Sequence, residues 1–408
     1  LHPYPARMIP QIARRLIVRY SIPGQKTTVL DPFAGSGGVL VEASLKLPSE
    51  PTKDVGARRS IGIDINPLAI LLAKAKTTPI EPTLLRNAVD KLLRKAKDEI
   101  KAYEEGRRYV SPPFFFNIDF WFKPKVKYKL QIIRENIEGV ENPDIQTFFK
   151  ACFSKTVREC SNTRSREFKL FRIPKKELEK YNPDVYSIFS QSVENGTKCM
   201  SEYYSACEKA DWAQPKILDE DTRFETSIPK ESVNLVVTSP PYGDSRTTVA
   251  YGQFSRLSMQ WLEIDGRRSR TVDRKSLGGI RAKTLKHYLK SETLSLTLQE
   301  ISSKDAERAK DVLSYFIDLD KCLKEISRVM ATDGRVCIVI GNRKVKSVRI
   351  PTSDIIKELG SEVKLMHDVT YGRKIPMKRM PWENAPTNVP GEKEETIHRE
   401  NILILKKV

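Results

Sequence analysis

The chain has few of the residues that bind zinc or build a disulfide framework. Its 408 residues include six cysteines and four histidines, and no two cysteines form a C-x-x-C pair. A structural zinc site and a disulfide-bonded fold are therefore disfavoured. We expect no metal and a reducing, cytoplasmic compartment.

Long apolar runs are also missing. No segment reaches the roughly 20 apolar residues that a membrane-spanning helix needs, and no signal-peptide pattern is present. We therefore expect no membrane partner. Because the sequence begins with Leu1 rather than Met, we expect further residues to precede it.

Acidic residues are too few to balance the basic ones. The chain has 71 Lys and Arg against 52 Asp and Glu, a formal net charge of +19. This excess suits a polyanionic partner such as nucleic acid, although a protein can be basic without such a partner.

A glycine-rich stretch, DPFAGSGG at 31–38, follows a predicted strand at 27–30 and precedes a predicted helix at about 39–45. It matches neither G-x-G-x-x-G nor G-x-x-x-x-G-K-[ST], so neither a dinucleotide site nor a triphosphate loop is predicted. Glycines here still let a backbone approach a ligand closely, and the helix N-terminus offers free N–H groups. A tight turn without a ligand is the alternative.

A second predicted strand, residues 60–65, ends in a carboxylate. Asp64 stands where an acid commonly accepts hydrogen bonds from ribose hydroxyls. Asn66 and Pro67 then open a helix, so the alternative role of Asp64 is to cap that helix. Beside the glycine-rich stretch, the ribose role is favoured.

A stiff corner follows the apolar residues 235–237. Pro240 and Pro241 end the predicted strand, because neither can donate a ladder hydrogen bond. The corner also carries the Ser239 hydroxyl and the Tyr242 ring. Ligands bind outside the carboxyl ends of strands in open α/β sheets, so the corner is a candidate site. A proline turn after a core strand is the alternative.

Strands alternate with helices along the chain, which predicts an α/β fold with a mostly parallel sheet. Two stretches lie outside this pattern, a mainly helical insertion at 81–214 and a basic insertion at 246–310. The catalytic core is then divided among 1–80, 215–245 and 311–408. Within the helical insertion, the aromatic cluster at 114–122 is expected to pack the insertion against the core.

Two polar stretches concentrate basic residues. Residues 266–290 contain nine basic residues and one acid, Asp273, which predicts a basic loop that enters a DNA groove. A second basic loop at 160–166 could meet phosphates. A solvated surface is the alternative for both stretches. The candidate nucleic-acid contacts are Arg164, Arg166, Arg246, Arg267, Arg268, Arg270, Arg274 and Lys275.

Taken together, these motifs resemble those of the S-adenosylmethionine-dependent DNA amino-methyltransferases. The resemblance rests on DPFAGSG at 31–37, on Asp64, and on SPPY at 239–242, while HPYPAR at 2–7 is similar to the N-terminal cofactor-side motif of that family. It covers the core, about half of the chain. It implies a Rossmann-like class I methyltransferase fold with a mostly parallel, seven-stranded sheet.

The resemblance implies S-adenosyl-L-methionine as the cofactor and assigns it a site. Asp31 would hold the amino group of the methionine part, and Asp64 would bind the ribose. Asp221 would meet the adenine amine, with Asp219 as a neighbouring option. The glycines would allow close approach beside the methionine part. The full implied site is Tyr4, Asp31, Phe33, Gly35, Gly37, Asp64, Ile65 and Asp221.

The SPPY motif implies methyl transfer to an exocyclic amine. Ser239 Oγ and the Pro240 carbonyl would accept the amine hydrogens and pull the nitrogen toward sp³ geometry, so that the reaction depends mainly on positioning. Tyr242 would stack on a base flipped out of the duplex, and Pro241 completes the catalytic motif. In this family a first-position Ser is most typical of cytosine N4, whereas Asp or Asn is more typical of adenine N6. Methylation at cytosine C5 would need a cysteine nucleophile, usually after proline, and no Pro-Cys occurs.

The implied function is a sequence-specific DNA cytosine-N4 methyltransferase. Its partners would be double-stranded DNA and a cognate restriction endonuclease in a restriction–modification system. The alternatives are methylation of adenine N6, an RNA amino-methyltransferase, and a nucleic-acid-binding protein that kept the fold without activity.

Overall fold

The computed structural model describes residues 2–21, 27–45, 58–164, 168–208, 212–264, 268–375, 383–384, 394–395 and 399–408. Within these ranges, no helix combines the length and the apolar character that crossing a membrane requires.

The helices and strands of the described ranges alternate up to the third helix, and runs of several helices follow the second and fourth strands. In order they are α1 (Pro10–Tyr20), β1 (Thr28–Asp31), α2 (Gly38–Ser44), β2 (Arg59–Ile63), α3 (Pro67–Thr77), α4 (Pro82–Glu104), α5 (Ile118–Trp121), α6 (Pro124–Glu138), α7 (Pro143–Cys160), α8 (Lys175–Lys180), α9 (Val185–Glu208), β3 (Lys216–Leu218), β4 (Val233–Thr238), α10 (Tyr251–Trp261), α11 (Arg268–Lys275), α12 (Glu292–Lys304), α13 (Ala306–Val329), β5 (Met330–Gly341), β6 (Lys344–Val345), β7 (Val348–Arg349), α14 (Thr352–Ser361), β8 (Leu365–Lys374), β9 (Glu383–Asn384), β10 (Glu394–Glu395) and β11 (Arg399–Lys407).

Seven of these strands form one sheet in the order β3-β2-β1-β4-β5-β11-β8. The pairs from β3 to β5 are parallel, and β11 runs antiparallel to both β5 and β8. This arrangement confirms the predicted Rossmann-like class I methyltransferase fold with a mostly parallel, seven-stranded sheet. The strand order reverses between β1 and β4, the place where open α/β sheets bind ligands.

A hydrophobic core covers each face of the sheet. Alternate side chains of β4 point to opposite faces because the side-chain period of a strand is two. Val236 packs in the core formed with α12, α13 and α14. Leu235 and Val237 pack in the core formed with α1 and α2. The two cores hold the carboxyl ends of β1 and β4 at a fixed separation.

Helices α4, α5, α6, α7 and α9 build a core of their own, which also includes Trp261 of α10, whereas α8 buries no side chain. The aromatic stretch 114–122 contributes to it only in part. Phe115 and Phe122 pack edge to face on Trp261, with ring centroids 6.1 and 5.4 Å away. Phe114 and Phe116 are 98% and 70% exposed, so the expectation that the whole cluster packs the insertion was wrong for these two side chains. The boundaries of the insertion stay a prediction.

The basic stretch 266–290 is not the loop that its composition predicts, because α11 occupies its first part. Its single acid has a structural role: the Asp273 carboxylate accepts hydrogen bonds from the backbone N–H groups of Gly252 and Gln253, at 2.7 and 3.0 Å. It thereby caps α10, whose own N-cap residue, Ala250, has no side-chain oxygen to offer.

Strand β5 contains an irregularity near its N-terminal end. Asp333, with a φ of 64°, lies inside the strand. Pairing with β4 shifts register there, since Val233 pairs with Met330 and Leu235 with Arg335. The irregularity therefore lies within a continuous strand.

Candidate active site

A cavity of about 720 Å³ opens at the carboxyl ends of β1, β2 and β4. It brings together five segments that are distant in sequence. They are residues 4–10, the glycine-rich loop 31–38, residues 64–66, residues 220–223, and the corner with Ser239 and Pro241. The volume lies in the range of roughly 300–1,000 Å³ that is typical of small-molecule sites.

Asp31 ends β1 and is buried at one wall of the cavity. Its Oδ1 atom accepts hydrogen bonds from the Phe33 N–H at 3.1 Å and from the Thr238 hydroxyl at 2.6 Å. No described residue donates to Oδ2. Burial raises the pKa of Asp31 to about 7. Because Thr238 directly precedes Ser239, this bond joins the glycine-rich loop to the corner.

Two of the three glycines of the loop, Gly35 and Gly37, have different surroundings. Both have positive φ, 51° at Gly35 and 77° at Gly37. Gly35 lines the cavity, and a Cβ there would lie 3.2 Å from the Tyr4 ring. Gly37 is not among the lining residues, and a Cβ there would lie 3.0 Å from Ala73 of α3. Of these two, Gly35 has the geometry of close approach to a ligand, and Gly38, the third glycine of the loop, also lines the cavity.

Asp64 follows β2 and faces the same cavity. Its carboxylate accepts hydrogen bonds from the Gly35 N–H at 2.9 Å and the Asn66 N–H at 2.8 Å. Burial raises its pKa to about 6. The residue that caps α3 is Asn66, whose side chain accepts from the Leu68 N–H. The alternative role of Asp64 as the helix cap is thus filled by its neighbour.

The N-terminal segment is anchored beside the loop. The Asn66 amide donates hydrogen bonds to the Tyr4 hydroxyl at 3.0 Å and to the Ser255 hydroxyl at 2.8 Å. The Tyr4 ring packs edge to face on Phe254 of α10, at 5.8 Å. Tyr4 is thereby held against the loop, and its role on the cofactor side stays a prediction.

The acid after β3 is held by an arginine. Asp221 lines the cavity, whereas Asp219 is exposed and does not. Arg223 donates to the Asp221 carboxylate at 2.6 Å and to Asp318 at 3.1 Å. The bridge fixes the orientation of Asp221, the favoured of the two options. Phe33 and Ile65 also line the cavity.

The corner after β4 contributes Ser239 and Pro241 to the cavity, while Pro240 is buried and Tyr242 lies beside it. The Tyr242 hydroxyl donates to Glu400 of β11 at 3.0 Å, and Glu400 also accepts from Arg373 at 2.6 Å. Burial, with the Glu400 carboxylate nearby, raises the pKa of Tyr242. The Tyr242 side chain is therefore neutral, and its position is fixed by the hydrogen bond from its hydroxyl to Glu400.

All five predicted nucleic-acid contacts whose side chains can be described are exposed. Lys275 also borders the cavity opening. The Arg246 guanidinium lies 3.4 Å from the buried Asp311, which Arg281 and Arg308 also approach. The exposed predicted contacts are Arg164, Arg246, Arg270, Arg274 and Lys275. Arg166 and Arg267 lie outside the described residues, and the Arg268 side chain lies outside them too.

Residues 162–164, within the loop predicted at 160–166, pair with residues 171–173. The Arg164 N–H donates to the Phe171 carbonyl at 2.8 Å, and the Ile173 N–H to the Asn162 carbonyl at 2.9 Å. Phe168, between these paired segments, lines the cavity. The segment just after this loop, through Phe168, and the basic stretch 266–290, through Lys275, both reach the cavity.

No protein-family model matches this chain. The type II methyltransferase M.MvaI of Kocuria varians is 40% identical over 418 aligned residues, which cover 99% of this chain and 90% of that protein. The chain belongs to the type II methyltransferases. The type II methyltransferase M.MjaII of Methanocaldococcus jannaschii is 32% identical over 98 residues, 24% of this chain and 16% of that protein.

Solved structures resemble this methyltransferase only weakly. A Thermus thermophilus protein complexed with S-adenosyl-L-methionine is 18% identical, with a TM-score of 0.23, over 44% of this chain and 50% of that one. The Bacillus subtilis YcgJ protein is 9% identical, with a TM-score of 0.34, over 98% of this chain and 99% of that one. Because these TM-scores are below 0.5, the fold assignment depends on the strand order described above.

The cofactor of this methyltransferase is S-adenosylmethionine, and the cavity fits it. An amino group and ribose hydroxyls are donors, and the carboxylates of Asp31, Asp64 and Asp221 line the cavity as acceptors. The missing side chain of Gly35 leaves room beside Tyr4. Among the described residues, no group of three His, Cys, Asp or Glu side chains could hold a metal ion.

Two hydrogen bonds that hold the corner of this methyltransferase are not evident in its sequence. Thr238 reads as the last residue of an apolar strand, and its bond to Asp31 spans 207 positions. Tyr315 reads as one member of the buried face of α13, yet its hydroxyl donates to the Pro241 carbonyl at 2.7 Å. No sequence signal separates either residue from ordinary core residues.

Tyr315→Phe should lower the kcat of methyl transfer about 3- to 10-fold. The substitution removes the hydrogen bond that holds the Pro241 carbonyl, and a net loss of about 1 kcal/mol corresponds to that change in rate. Affinity for S-adenosylmethionine should be unchanged, because the cofactor-side carboxylates are untouched. Steady-state kinetics and calorimetry measure the two effects. Tyr109→Phe, at a 93% exposed tyrosine, is the matched control, and equal kcat in both variants would contradict the role.

Proposed function

We propose that this type II methyltransferase transfers a methyl group from S-adenosylmethionine to the N4 amine of cytosine in a specific sequence of duplex DNA. The observation that carries the proposal is the shared cavity: Ser239 and the glycine-rich loop both line it. The Asp31–Thr238 hydrogen bond of 2.6 Å ties the two together. An amine held at Ser239 would thus face a methyl donor held at the loop.

The corner supplies the groups that the amine needs. When bound, the cofactor supplies an electrophilic methyl group on a sulfonium. The Ser239 hydroxyl and the Pro240 carbonyl would accept the two amine hydrogens and direct the nitrogen lone pair into the cavity. No described residue donates to the Pro240 carbonyl, whereas the neighbouring Pro241 carbonyl is held by Tyr315. Positioning of this kind can account for a large part of a transfer rate.

The base must leave the duplex to reach the corner. Tyr242 presents a neutral ring whose hydroxyl is held by Glu400, and a fixed aromatic ring suits stacking on a flipped base. Lys275, which lines the cavity, and the exposed side chains of Arg164 and Arg270 suit contacts with DNA phosphates. With the net charge of +19, these features support duplex DNA as the substrate.

The choice of base rests on the first residue of the motif. Ser239 occupies the first position of the motif, where Ser is most typical of enzymes that methylate cytosine N4. Methylation of adenine N6, for which Asp or Asn is more typical at this position, is the alternative. We also propose a cognate restriction endonuclease as the cellular companion, as type II modification implies.

Mass analysis of nucleosides tests the proposed function. Plasmid DNA is incubated with the protein and S-adenosylmethionine, digested, and compared with DNA treated with Asp31→Asn protein. With the cofactor concentration near the wild-type Kd, we expect N4-methylcytosine with wild type and far less of it with the Asp31→Asn protein. N6-methyladenine would establish the alternative base, and 5-methylcytosine or no methylated base would contradict the proposal. RNA as acceptor, in a parallel reaction, should gain no methyl group.

A further inference from the structure

Lys76 is a lysine turned into the cavity rather than toward solvent. It lies in the last turn of α3, where Lys74 is exposed and Lys76 is half-buried and lines the cavity. Its Nζ atom donates to the hydroxyl of Ser36 at 2.6 Å. Ser36 belongs to the glycine-rich loop and is itself buried. Lys76 thus contacts the glycine-rich loop at Ser36, five residues after Asp31.

The charge of Lys76 has no counter-ion among the described residues. The acids that line the cavity near the loop are bonded elsewhere: Asp31 to Thr238, Asp64 to Gly35, and Glu42 to Arg14 at 2.7 Å. A buried ammonium without an anionic partner is costly. An anion that enters the cavity would remove this cost.

The charged and titratable groups that act on Lys76 are few. Burial, with the positive charge of Arg7, lowers the pKa of Lys76 to about 7. His2 lies close enough for Lys76 to act on it, and burial lowers the pKa of His2 to about 3, so the imidazole is neutral. These surroundings favour an anion beside Lys76 rather than a cation.

We propose that Lys76 binds the α-carboxylate of S-adenosylmethionine, and that Ser36 positions its ammonium group. The amino-acid end of the cofactor carries one positive and one negative group. Asp31 and Ser36 stand five positions apart on one loop, so the loop would present an acid to the ammonium and, through Ser36, a lysine to the carboxylate. The inference rests on the cofactor assignment and is independent of which base is methylated.

Calorimetry with two ligands tests this assignment. The ligands are S-adenosylmethionine and its decarboxylated analogue, which keeps the sulfonium and the amine. Wild type should prefer S-adenosylmethionine about 10- to 100-fold, as expected for one charge-assisted contact. Lys76→Met should bind the two ligands within about threefold of each other, and Lys76→Arg should restore most of the preference. Lys74→Met, in the same helical turn, should behave as wild type.

The outcomes separate the possible failures. If Lys76→Met keeps the wild-type preference, the assignment is overturned, whichever base is methylated. Binding of 5′-methylthioadenosine, which lacks the amino-acid end, should be equal in wild type and Lys76→Met if the pocket is intact. A parallel loss of that ligand would assign Lys76 a structural role and overturn the proposal as well.

Proton uptake gives a second measurement. At pH 8.5 most of Lys76 is neutral before binding, so a carboxylate partner should draw a proton onto it. Titrations in buffers of different ionisation enthalpy should show more proton uptake for wild type than for Lys76→Arg, whose guanidinium is always charged. The cofactor amine contributes equally to both proteins. Equal uptake would contradict the proposal.

Discussion

Ser239→Ala is expected to lower the rate of methyl transfer about 100- to 1,000-fold, while the Kd for S-adenosylmethionine stays within about twofold of wild type. The hydroxyl is the side-chain acceptor of the corner that lines the cavity, and alanine offers the amine nothing in its place. The protein carboxylates that are expected to bind the cofactor belong to β1, or to the segments after β2 and β3. They keep their hydrogen-bond partners in the variant. Single-turnover transfer to duplex DNA and calorimetry measure the two quantities.

The matched control is Ser232→Ala, at the opposite end of the same strand. Ser232 donates to the Pro229 carbonyl at 2.6 Å, away from the cavity, so its loss should leave the rate near wild type. Equal rates for Ser239→Ala and wild-type protein would remove Ser239 from the reaction. A large loss of cofactor affinity would instead assign Ser239 to the binding step.

Asp31→Asn should weaken cofactor binding about 30- to 1,000-fold, the range for removing one partner of a buried charge pair. Asparagine keeps an acceptor for Thr238 but offers the cofactor ammonium no charge. In wild type, the affinity should also fall as the pH drops below about 7, because Asp31 then gains a proton. Calorimetry between pH 6 and 8 tests both statements, and Asp219→Asn is the control.

The same substitution should stabilise the free protein. The pKa of Asp31 rises from 3.8 to about 7 on folding, so between these values the folded state binds more protons than the unfolded state. The stability contributed by this group therefore falls as the pH rises through that window, and the full penalty remains above it. Asp31→Asn should raise the Tm at pH 8 and change it little at pH 4. A lower Tm at pH 8 would contradict the pKa.

The ends of the strands could be predicted because each carries a local signal. Asp31 and Asp64 each follow an apolar strand, and Pro240 can only end one. Since parallel strands place their carboxyl ends at one edge, the meeting of Asp31 and Ser239 in a single cavity followed from the predicted sheet. In the structure, Asp31, Asp64 and Ser239 line the same cavity at that edge of the sheet.

Helices α10 and α11 were missed because their signals are not local. The cap of α10 is Asp273, about 20 residues further along the chain. In α11, Val272 is a buried apolar residue between charged and polar ones. A single apolar residue cannot produce a helical pattern of hydrophobicity. The composition of 266–290 indicated its charge correctly but not its conformation.

Side-chain partners across the fold were equally out of reach. Lys76 in the last turn of a helix has the position of a residue that complements the helix dipole, and only tertiary structure shows that it contacts Ser36. Glu400 stands between strand residues with no sign that it holds Tyr242. Both contacts join segments separated by 40 or more positions, a distance over which sequence periodicity carries no information.

The central claim is that the Ser239 corner and the glycine-rich loop face one bound cofactor. A crystal structure of the protein with S-adenosylmethionine tests it most directly. We expect the methyl group to point toward Ser239, leaving room for an amine nitrogen about 3–3.5 Å from the methyl carbon, with the cofactor amino group at Asp31. A cofactor bound elsewhere, or with its methyl group turned away from Ser239, would contradict the account.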